Sequence, residues 1–398
     1  MSPVAVSPEL ERWRGHVEGH KFVWLHCPPW DGVWTRQNHF ARRLAALGGE
    51  VLYVESPGGW ESALRREGLS ALRPKASTIR EVERGVYVLS ASRAFPGSMI
   101  SDAIARRNAR KMASFTQSWL EERGWSEWLA WCRVPKSVYY LDYLNPRSVV
   151  YDVTDDYPLY VDGFKRDRVQ DREHSLLQRA DVVFVASRRL QQRTDLAQSG
   201  AVFLSNGVDY ELFARATDPS TPIADEFHDQ AAPLIGYVGL TAEWMDFDLI
   251  RQLGARWPGQ IVMVGPVRPD LKSMAHEIDG VRWIDFVPQS RVPSYLKAFK
   301  VCIIPHVLSE RIKRSNSLKI WEYLAAGVPV VSVDLPALEP VRENVYIAKS
   351  HDEFVSCIES ALEDNAGLAG RIARQHVAAG HSWNHLTARA IEHIAHLL

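Results

Sequence analysis

Cationic side chains cluster just before a predicted helix in the last third of the chain, where they could neutralise a phosphorylated ligand. Arg311, Lys313 and Arg314 lie in a polar stretch, and Lys319 follows inside the helix. Residues 315–317 are Ser, Asn and Ser, whose side chains can accept hydrogen bonds from the free N–H groups of a first helical turn. Because these N–H groups and the helix dipole favour negative charge, the segment predicts an anion site at the helix N-terminus.

A carboxylate on the same side of this helix could bind a sugar. With about 100° between successive residues, Asn316, Lys319 and Glu322 fall on one stripe, opposite Trp321. Glu322 lies about two turns into the helix and could accept hydrogen bonds from ribose hydroxyls. Phosphate at the helix N-terminus and ribose on the carboxylate would suit a nucleotide-sugar. The alternative is an amphipathic helix whose charged stripe is only solvated.

The surrounding elements repeat a strand–helix pattern that indicates two Rossmann-like domains. Gly327 is suited to end the helix, and the VVSV run after it has the pattern of a buried strand. Short apolar runs alternate with helical patterns on both sides of a stretch rich in Pro, Asp, Ser and Thr. We therefore predict an α/β protein with domains over 1–213 and 234–380, a linker over 214–233 and a last helix within 381–398.

Composition restricts the class of protein. The 398 residues exceed the roughly 250–300 at which single cores stop growing, and the 46% hydrophobic and 24% charged fractions are ordinary for a soluble protein. A net charge of −1 gives no field that would attract nucleic acid. The four cysteines show no C-x-x-C spacing, which argues against a zinc site and for a reducing compartment. Without an apolar signal core or a membrane-length run, the expected location is the cytoplasm.

The first predicted strand, KFVWLHC, leads into a loop that could approach a ligand. The loop contains Gly32 and Trp34, and a helix begins near Arg36. It lacks the G-x-G-x-x-G spacing, so dinucleotide binding is poorly supported. Arg36 is either a ligand contact or an exposed arginine at a helix start. Residues 57–80, further along, are predicted to be irregular and basic.

Three aspartates follow a predicted strand at 148–157. Apolar residues run directly into Asp152, Asp155 and Asp156. In parallel sheets, ligands bind at the carboxyl ends of strands, so these acids either cap the next turn or face a ligand. We expect one of Asp155 and Asp156 to face the cleft.

Three motifs resemble those of a known enzyme family. LKIWEYLAAGVPVVS at 318–332, N-G-V-D at 206–209 and Y-D-x-x-D-D at 151–156 resemble the GT-B glycosyltransferases of family 4, in the branch typified by teichuronic acid biosynthesis. Two departures concern charge. Arg314 replaces an expected glutamate, and Val238–Gly239–Leu240 lacks the arginine and the nearby lysine that neutralise the donor diphosphate. The missing charge would have to come from Arg268 or from the cations near residue 311.

The resemblance implies two domains facing a central cleft, a final helix that returns to the N-terminal domain, and a retaining sugar transfer from a nucleotide-diphosphate sugar. The implied donor-binding residues are Glu322, Lys319, Asn316, Ser317, Leu318, Lys313, Arg311, Glu310, Arg268 and Gly239. Gly32, Trp34 and Arg36 would form an acceptor and phosphate loop, and Asp155 or Asp156 would be catalytic. No cofactor and no metal are expected, because the D-x-D at 246–248 opens a predicted helix and is better suited to capping it.

The partners expected are a nucleotide-sugar donor and a glycan, small-molecule or lipid-linked acceptor, in cell-surface polysaccharide or glycoconjugate synthesis. Four cations on the predicted helix 100–123 are either a solvated face or a contact to anionic lipid headgroups: Arg106, Arg107, Arg110 and Lys111. Two other functions remain open. One is a nucleotide-sugar epimerase on the same scaffold, and the other is a non-catalytic subunit that binds the donor.

Overall fold

The computed structural model describes residues 4–57, 76–90, 94–363 and 367–398, and the chain forms two compact units. The N-terminal unit comprises Met1–Ser205 and Asn384–Leu398, and the C-terminal unit comprises Asn206–Trp383. Most of the segment 57–80, predicted to be irregular, lies outside the described residues. Each unit is a parallel sheet covered by helices, which is the predicted α/β class.

The N-terminal unit is built on a sheet whose described strands run in the order β3-β4-β2-β1-β5-β6-β7-β8. The strands are β1 (Lys21–Cys27), β2 (Glu50–Glu55), β3 (Thr78–Glu83), β4 (Val86–Ser90), β5 (Leu129–Cys132), β6 (Ser148–Val153), β7 (Val182–Val185) and β8 (Val202–Phe203). Pairing is parallel except between β3 and β4. The central strands are buried along most of their length, because helices cover both faces of such a sheet.

Helices of the N-terminal unit begin where the sequence supplies hydrogen-bonding caps. Ser101 accepts a hydrogen bond from Ile104 N and starts the longest of them, and Thr35 forms a capping box with Asn38. The described helices are Pro8–Glu11, Arg14–Val17, Arg36–Ala46, Asp102–Glu122, Val138–Leu141, Phe164–Leu177, Arg188–Gln191, Thr194–Gln198 and Trp383–Ile394. Residues 384–398 belong to this unit, where Arg43 Nε donates to Asn384 Oδ1 over 2.8 Å.

The C-terminal unit has the strand order of a Rossmann fold. Its strands are β9 (Leu234–Val238), β10 (Ile261–Val264), β11 (Val281–Ile284), β12 (Phe299–Ile304), β13 (Val330–Val333) and β14 (Tyr346–Ala348). They pair in parallel in the order β11-β10-β9-β12-β13-β14, which is 3-2-1-4-5-6 counted within the unit. The order reverses between β9 and β12, and in the N-terminal sheet between β1 and β5. We call these two places the switch points, since ligands of open parallel sheets bind outside the carboxyl ends of the strands there.

Helices of the C-terminal unit pack against this sheet. They are Tyr210–Phe213, Phe247–Arg256, Lys272–His276, Val292–Ala298, Glu310–Arg314, Leu318–Ala325, His351–Leu362 and Gly367–Ala379. The stretch at 310–314, predicted to be a loop, is a one-turn helix because Ser309 caps it by accepting from Ile312 N. Residues 214–233, predicted to be a linker, lie within this unit, where Ala216, Ala224 and Phe227 are buried in its core.

Among the described residues, no helix is both long enough and apolar enough to span a lipid bilayer.

Candidate functional site

The switch point of the C-terminal unit brings together residues from three separate stretches. Gly239 follows β9, and a Cβ there would lie 2.7 Å from Lys319 Cε and 2.9 Å from Tyr237 Oη. Only a glycine therefore leaves room for the Lys319 side chain to pass the end of β9. The predicted donor residues Gly239 and Lys319 are in contact, although 80 positions of sequence separate them.

The Leu318–Ala325 helix begins as the sequence predicts. Ser317 is its N-cap and accepts a hydrogen bond from Lys319 N over 3.3 Å. Asn206 Nδ2 donates to Asn316 O over 2.7 Å and fixes the chain leading into the helix. The helix ends at Ala326, and Gly327 follows with a φ of 72°. Leu318 occupies the first helical position, so the first turn, whose N–H groups have no partner within the helix, contains the predicted site residues Leu318 and Lys319.

Glu322 lies one turn into the helix and is nearly buried. The residue is 8% exposed, and its Oε2 accepts a hydrogen bond from Lys319 Nζ over 2.8 Å. The opposite side of the helix is fixed in the core, where Trp321 stacks on His381 with ring centroids 3.6 Å apart. The stripe predicted from the sequence is therefore a half-buried ion pair beside Gly239, and it is not a fully solvated face.

Two of the predicted phosphate-binding cations meet on one carboxylate. Arg311 Nη2 donates to Glu243 Oε1 over 2.9 Å, and Arg268 pairs with the other oxygen of Glu243. Partial burial acts to raise the pKa of Glu243, but the hydrogen bond from its own backbone and the two guanidinium groups outweigh it and hold the pKa below its usual value. Glu243, four positions after Gly239, thus pairs with two of the predicted cations.

Each of the other predicted charges in this region also has a local partner. Arg268 bonds both oxygens of Asp270 over 2.7 Å. Lys313 Nζ lies 2.9 Å from Glu310 Oε1 within the one-turn helix, and both side chains are exposed. The cation cluster predicted from the sequence is real, but in this structure carboxylates of the protein compensate its charge.

His306 is a residue at this switch point that the sequence interpretation missed. It follows β12, is 7% exposed, and burial lowers its pKa to about 4. Its Nε2 has no hydrogen-bond partner among the described residues. The signal available in the sequence was a histidine directly after a buried strand and a proline, at the carboxyl end of a parallel strand.

The D-x-D motif caps a helix, as predicted. Asp246 accepts a hydrogen bond from Leu249 N over 2.9 Å, and its other oxygen lies 2.9 Å from His351 Nε2. Asp248 pairs with Arg251 on the surface. Within the described ranges, no group of three or more His, Cys, Asp or Glu side chains is arranged to hold a metal ion.

Arg36 occupies a different environment from the one expected for a phosphate-loop residue. It is 2% exposed, its Nε donates to Asp152 Oδ2 over 2.8 Å, and its Nη1 donates to the carbonyls of Leu204 and Ser205. A buried arginine with these partners is held for structure, because removing either charge would leave the other uncompensated. This burial excludes the exposed arginine that was one of the two alternatives from the sequence, and contact of Arg36 with a ligand stays a prediction.

Of the two aspartates predicted to be catalytic, one is buried and the other is partly accessible. Asp156 is 4% exposed and accepts a hydrogen bond from Arg193 Nη1 over 2.9 Å, in a network that also includes Glu173 and Asp195. Asp155 is half-buried and accepts from the hydroxyls of Thr154 and Tyr160. Of the two, Asp155 is the one with a carboxylate that a ligand could reach, and its catalytic role stays a prediction.

The loop after β1 is a compact turn. Gly32 N donates to Pro29 O over 3.1 Å, and a Cβ on Gly32 would lie 3.1 Å from the same oxygen. Trp34 packs against Trp30 and His39, and the Arg42 guanidinium lies 5.1 Å from its ring centroid. Gly32 and Trp34 therefore shape this turn, and their contact with a ligand stays a prediction.

The switch point of the N-terminal unit holds a second polar cluster, also missed from the sequence. His26 lies in β1 with a φ of 59°, and Arg133 and Lys136 follow β5. His26 Nδ1 lies 3.0 Å from Ser137 Oγ across 111 positions of sequence. Because these residues come from strands far apart in the chain, no spacing pattern in the sequence links them.

The cations predicted as a possible lipid contact are partly engaged within the protein. Arg106 pairs with Asp142, and its guanidinium lies 4.7 Å from the Tyr139 ring centroid. Arg107 lies 4.4 Å from the Phe95 ring. Arg110 and Lys111 are exposed, and contact with a membrane stays a prediction.

Comparison with known families finds one match. Residues 235–364 match the family described as glycosyl transferases group 1. This region runs from β9 to the end of the His351–Leu362 helix, so it contains the whole C-terminal switch point.

A curated relative and several solved structures cover more of the chain. TuaH of Bacillus subtilis (strain 168), named as a teichuronic acid biosynthesis glycosyltransferase, is 25% identical over 256 residues, which are 60% of this chain and 64% of TuaH. Sucrose-phosphate synthase from Thermosynechococcus elongatus superposes with a TM-score of 0.71 at 17% identity, over 95% of this chain and 99% of that one. Anabaena HepE in complex with UDP and glucose superposes with a TM-score of 0.65 at 14% identity, over 95% of this chain and 99% of that one. These structures share the GT-B fold with this chain, as predicted.

Proposed function

The chain is a GT-B protein of the family 4-like type, and from this premise we propose that it is a glycosyltransferase using a nucleotide-diphosphate sugar. One observation carries the proposal. The nearly buried Glu322, the first turn of its helix and Gly239 converge outside the carboxyl end of β9, at the place where a Rossmann sheet binds nucleotides.

The proposed donor pose follows from the charge at this place. The diphosphate would lie at the N-terminus of the Leu318–Ala325 helix, where free N–H groups, Lys319 and Arg311 favour anions. The ribose hydroxyls would donate to Glu322 Oε1, because Oε2 accepts from Lys319 Nζ. Gly239 lets the pyrophosphate approach the backbone closely, as glycines do in dinucleotide sites.

The proposed reaction breaks the bond between the anomeric carbon and the phosphate oxygen and forms one to an acceptor hydroxyl oxygen. Negative charge develops on the departing diphosphate, so preorganised donors around it lower the barrier. A departing phosphate oxygen accepts the proton that the acceptor hydroxyl loses, so the step needs no separate side-chain base. Retention of anomeric configuration is part of the proposal. Metal independence is also part of the proposal, since Arg311, Lys319 and Arg268 supply the positive charge that neutralises the diphosphate.

We also propose a role in cell-surface polysaccharide or glycoconjugate synthesis, supported by the likeness to TuaH. The acceptor would be a glycan, a small molecule or a lipid-linked sugar.

A thermal-shift screen with UDP, GDP, dTDP and their sugars tests the proposal. A ligand at 100 times its dissociation constant stabilises the folded state by about 2.7 kcal/mol, so one nucleotide should raise Tm clearly. Glu322→Gln should abolish most of that shift while the protein stays folded. The matched control is Glu343→Gln, which changes an exposed glutamate in the same unit.

Two results would contradict the donor site. Either no nucleotide shifts Tm, or Glu322→Gln binds the donor as tightly as the parent. An assay for isomerised nucleotide-sugar in the absence of any acceptor separates transfer from epimerisation, because an epimerase needs no second substrate.

A further inference from the structure

The N-terminal switch point carries two cations that form no ion pair among the described residues. Arg133 and Lys136 follow β5, and both are half-buried. Among the described residues, neither has a carboxylate within ion-pair distance, and the buried Arg133 Nε has no hydrogen-bond partner. Buried polar groups without partners are rare in folded proteins, because leaving such a group unpaired destabilises the folded state.

The two cations and a histidine act on one another. His26 Nδ1 lies 3.0 Å from the hydroxyl of Ser137, the residue next to Lys136. Burial lowers the pKa of His26, and the charges of Lys136 and Arg133 lower it further. Burial lowers the pKa of Lys136 to about 8, and Arg133 and Arg172 add to the effect. Asp155 and Tyr157 raise the pKa of Arg133 against the opposing effect of burial. Asp155 is thus the nearest source of negative charge, yet it bonds to hydroxyls and not to the cations.

The backbone at this place is strained in a way that orients the histidine. His26 has a φ of 59°, the one positive value at a non-glycine position among the described residues. The register between β1 and β2 also shifts between Trp24 and Cys27. A left-handed conformation is strained at a residue other than glycine, and such strain concentrates at ligand sites. The His26 ring is fixed there by Ser137 Oγ at 3.0 Å and by an edge contact to Tyr140.

We propose that Arg133, Lys136 and His26 form a binding site for an anionic group, a phosphate or a carboxylate, carried by the acceptor. The location agrees with the rule that ligands bind at switch points, and the two uncompensated cations select for negative charge. The assignment of the anion to an acceptor rests on the proposed glycosyltransferase function, whereas binding of the anion does not. The acceptor class is then an anionic sugar, such as a sugar phosphate or a uronic acid.

Calorimetric titration of the full chain with glucose 6-phosphate, glucuronate, inorganic phosphate and glucose tests the site. At least one anion should bind, and glucose should bind at least tenfold more weakly than the better of the two charged sugars. Comparing glucose 6-phosphate with glucuronate distinguishes the phosphate from the carboxylate. Lys136→Gln should weaken binding of the preferred anion at least tenfold. The matched control Lys111→Gln removes the same charge from an exposed position of the same unit and should change nothing.

Stability separates a ligand site from a structural role. If Lys136 were held for structure, Lys136→Gln would lower Tm. An uncompensated cation opposes folding, so we expect a Tm equal to or above that of the parent. The proposal is overturned if no anion binds, if Lys136→Gln binds the anion like the parent, or if Lys111→Gln weakens binding equally.

Titration with UDP keeps the two proposals apart. Lys136→Gln should bind UDP like the parent, because Lys136 is not part of the donor site. Absence of binding by UDP, GDP and dTDP alongside Lys136-dependent anion binding would overturn the donor function and leave the anion site standing. UDP binding without any anion binding would overturn the anion site and leave the donor function standing.

Discussion

The two switch points of this chain use positive charge in opposite ways. At the C-terminal one, Lys319 is paired with Glu322, and Arg311 and Arg268 are paired with Glu243. At the N-terminal one, Arg133 and Lys136 have no carboxylate within ion-pair distance among the described residues. Both places have the same relation to a parallel sheet, so the difference lies in the side chains and not in the fold.

This difference has consequences for stability and for affinity. A compensated site is stable without its ligand, but an incoming anion must compete with the protein's own carboxylates. An uncompensated site lowers the free energy of unfolding in the absence of ligand. Its cations attract an incoming anion more strongly, because no carboxylate of the protein competes for them. We therefore expect substitutions of cations to change stability in opposite directions at paired and at unpaired positions.

The largest effect is expected where a buried cation forms an ion pair with a buried carboxylate. Arg36→Met leaves Asp152 charged, buried and without its partner, and should lower the free energy of unfolding by about 3–5 kcal/mol. Urea denaturation followed by circular dichroism measures this. Lys136→Gln is the comparison, because it removes an unpaired cation. A loss of stability as large in Lys136→Gln as in Arg36→Met would remove the distinction between the two kinds of cation.

The next largest effect is expected on the affinity for the donor diphosphate. Arg311→Ala should weaken UDP binding about tenfold, which corresponds to 1.4 kcal/mol, and should change uridine binding much less. Lys313→Ala should change neither by more than about twofold, since the exposed Lys313 is paired with Glu310. Calorimetric titration gives both affinities.

Glu243→Gln provides the matched test for competition by a carboxylate. It removes one carboxylate partner of Arg311 and of Arg268, so UDP binding should become stronger by about two- to fivefold, which corresponds to the strength of exposed ion pairs. Weaker UDP binding in this variant would mean that Glu243 positions the arginines and does not compete with the diphosphate.

A smaller effect is expected from pH at the N-terminal site. Lys136 has a pKa lowered to about 8 in the folded protein, so it is charged below that pH and loses its charge as the pH rises through it. Arg133 and Arg172 stay charged throughout, and His26 is neutral. Affinity for glucose 6-phosphate, a dianion in this range, should fall several-fold between pH 7.5 and 9.5 in the parent and stay flat in Lys136→Gln. A flat profile in the parent would exclude Lys136 as a ligand of the anion.

Removal of divalent metal should have the smallest effect. If arginine and lysine neutralise the diphosphate, EDTA should leave sugar transfer unchanged. Loss of transfer in EDTA, restored by Mn²⁺ or Mg²⁺, would show that the protein's cations are insufficient.

Features set by neighbouring residues were accessible from the sequence. The Ser317 cap, Gly327 at the helix end and the Asp246 cap each depend on a few consecutive residues, and the structure confirms them. The strand–helix alternation likewise gave the fold class, because it reflects burial within each segment.

Contacts between residues far apart in the chain could not be predicted from the sequence. Arg36 and Asp152 are 116 positions apart, so nothing local distinguishes this buried arginine from an exposed one at a helix start. The same holds for His26, Arg133 and Lys136, which topology brings to one place. The sequence also identified the cations near residue 311 without revealing that Glu243 and Glu322 compensate them.

The central claim is that the chain has two separate anion sites, one in each unit, and a crossed titration tests it most directly. UDP and the preferred acceptor anion are titrated into the parent, Lys319→Gln and Lys136→Gln. The account predicts that Lys319→Gln weakens UDP about tenfold and leaves the acceptor anion unchanged, while Lys136→Gln does the opposite. If either variant weakens both ligands equally, or neither ligand responds to its own variant, the account of two sites is contradicted.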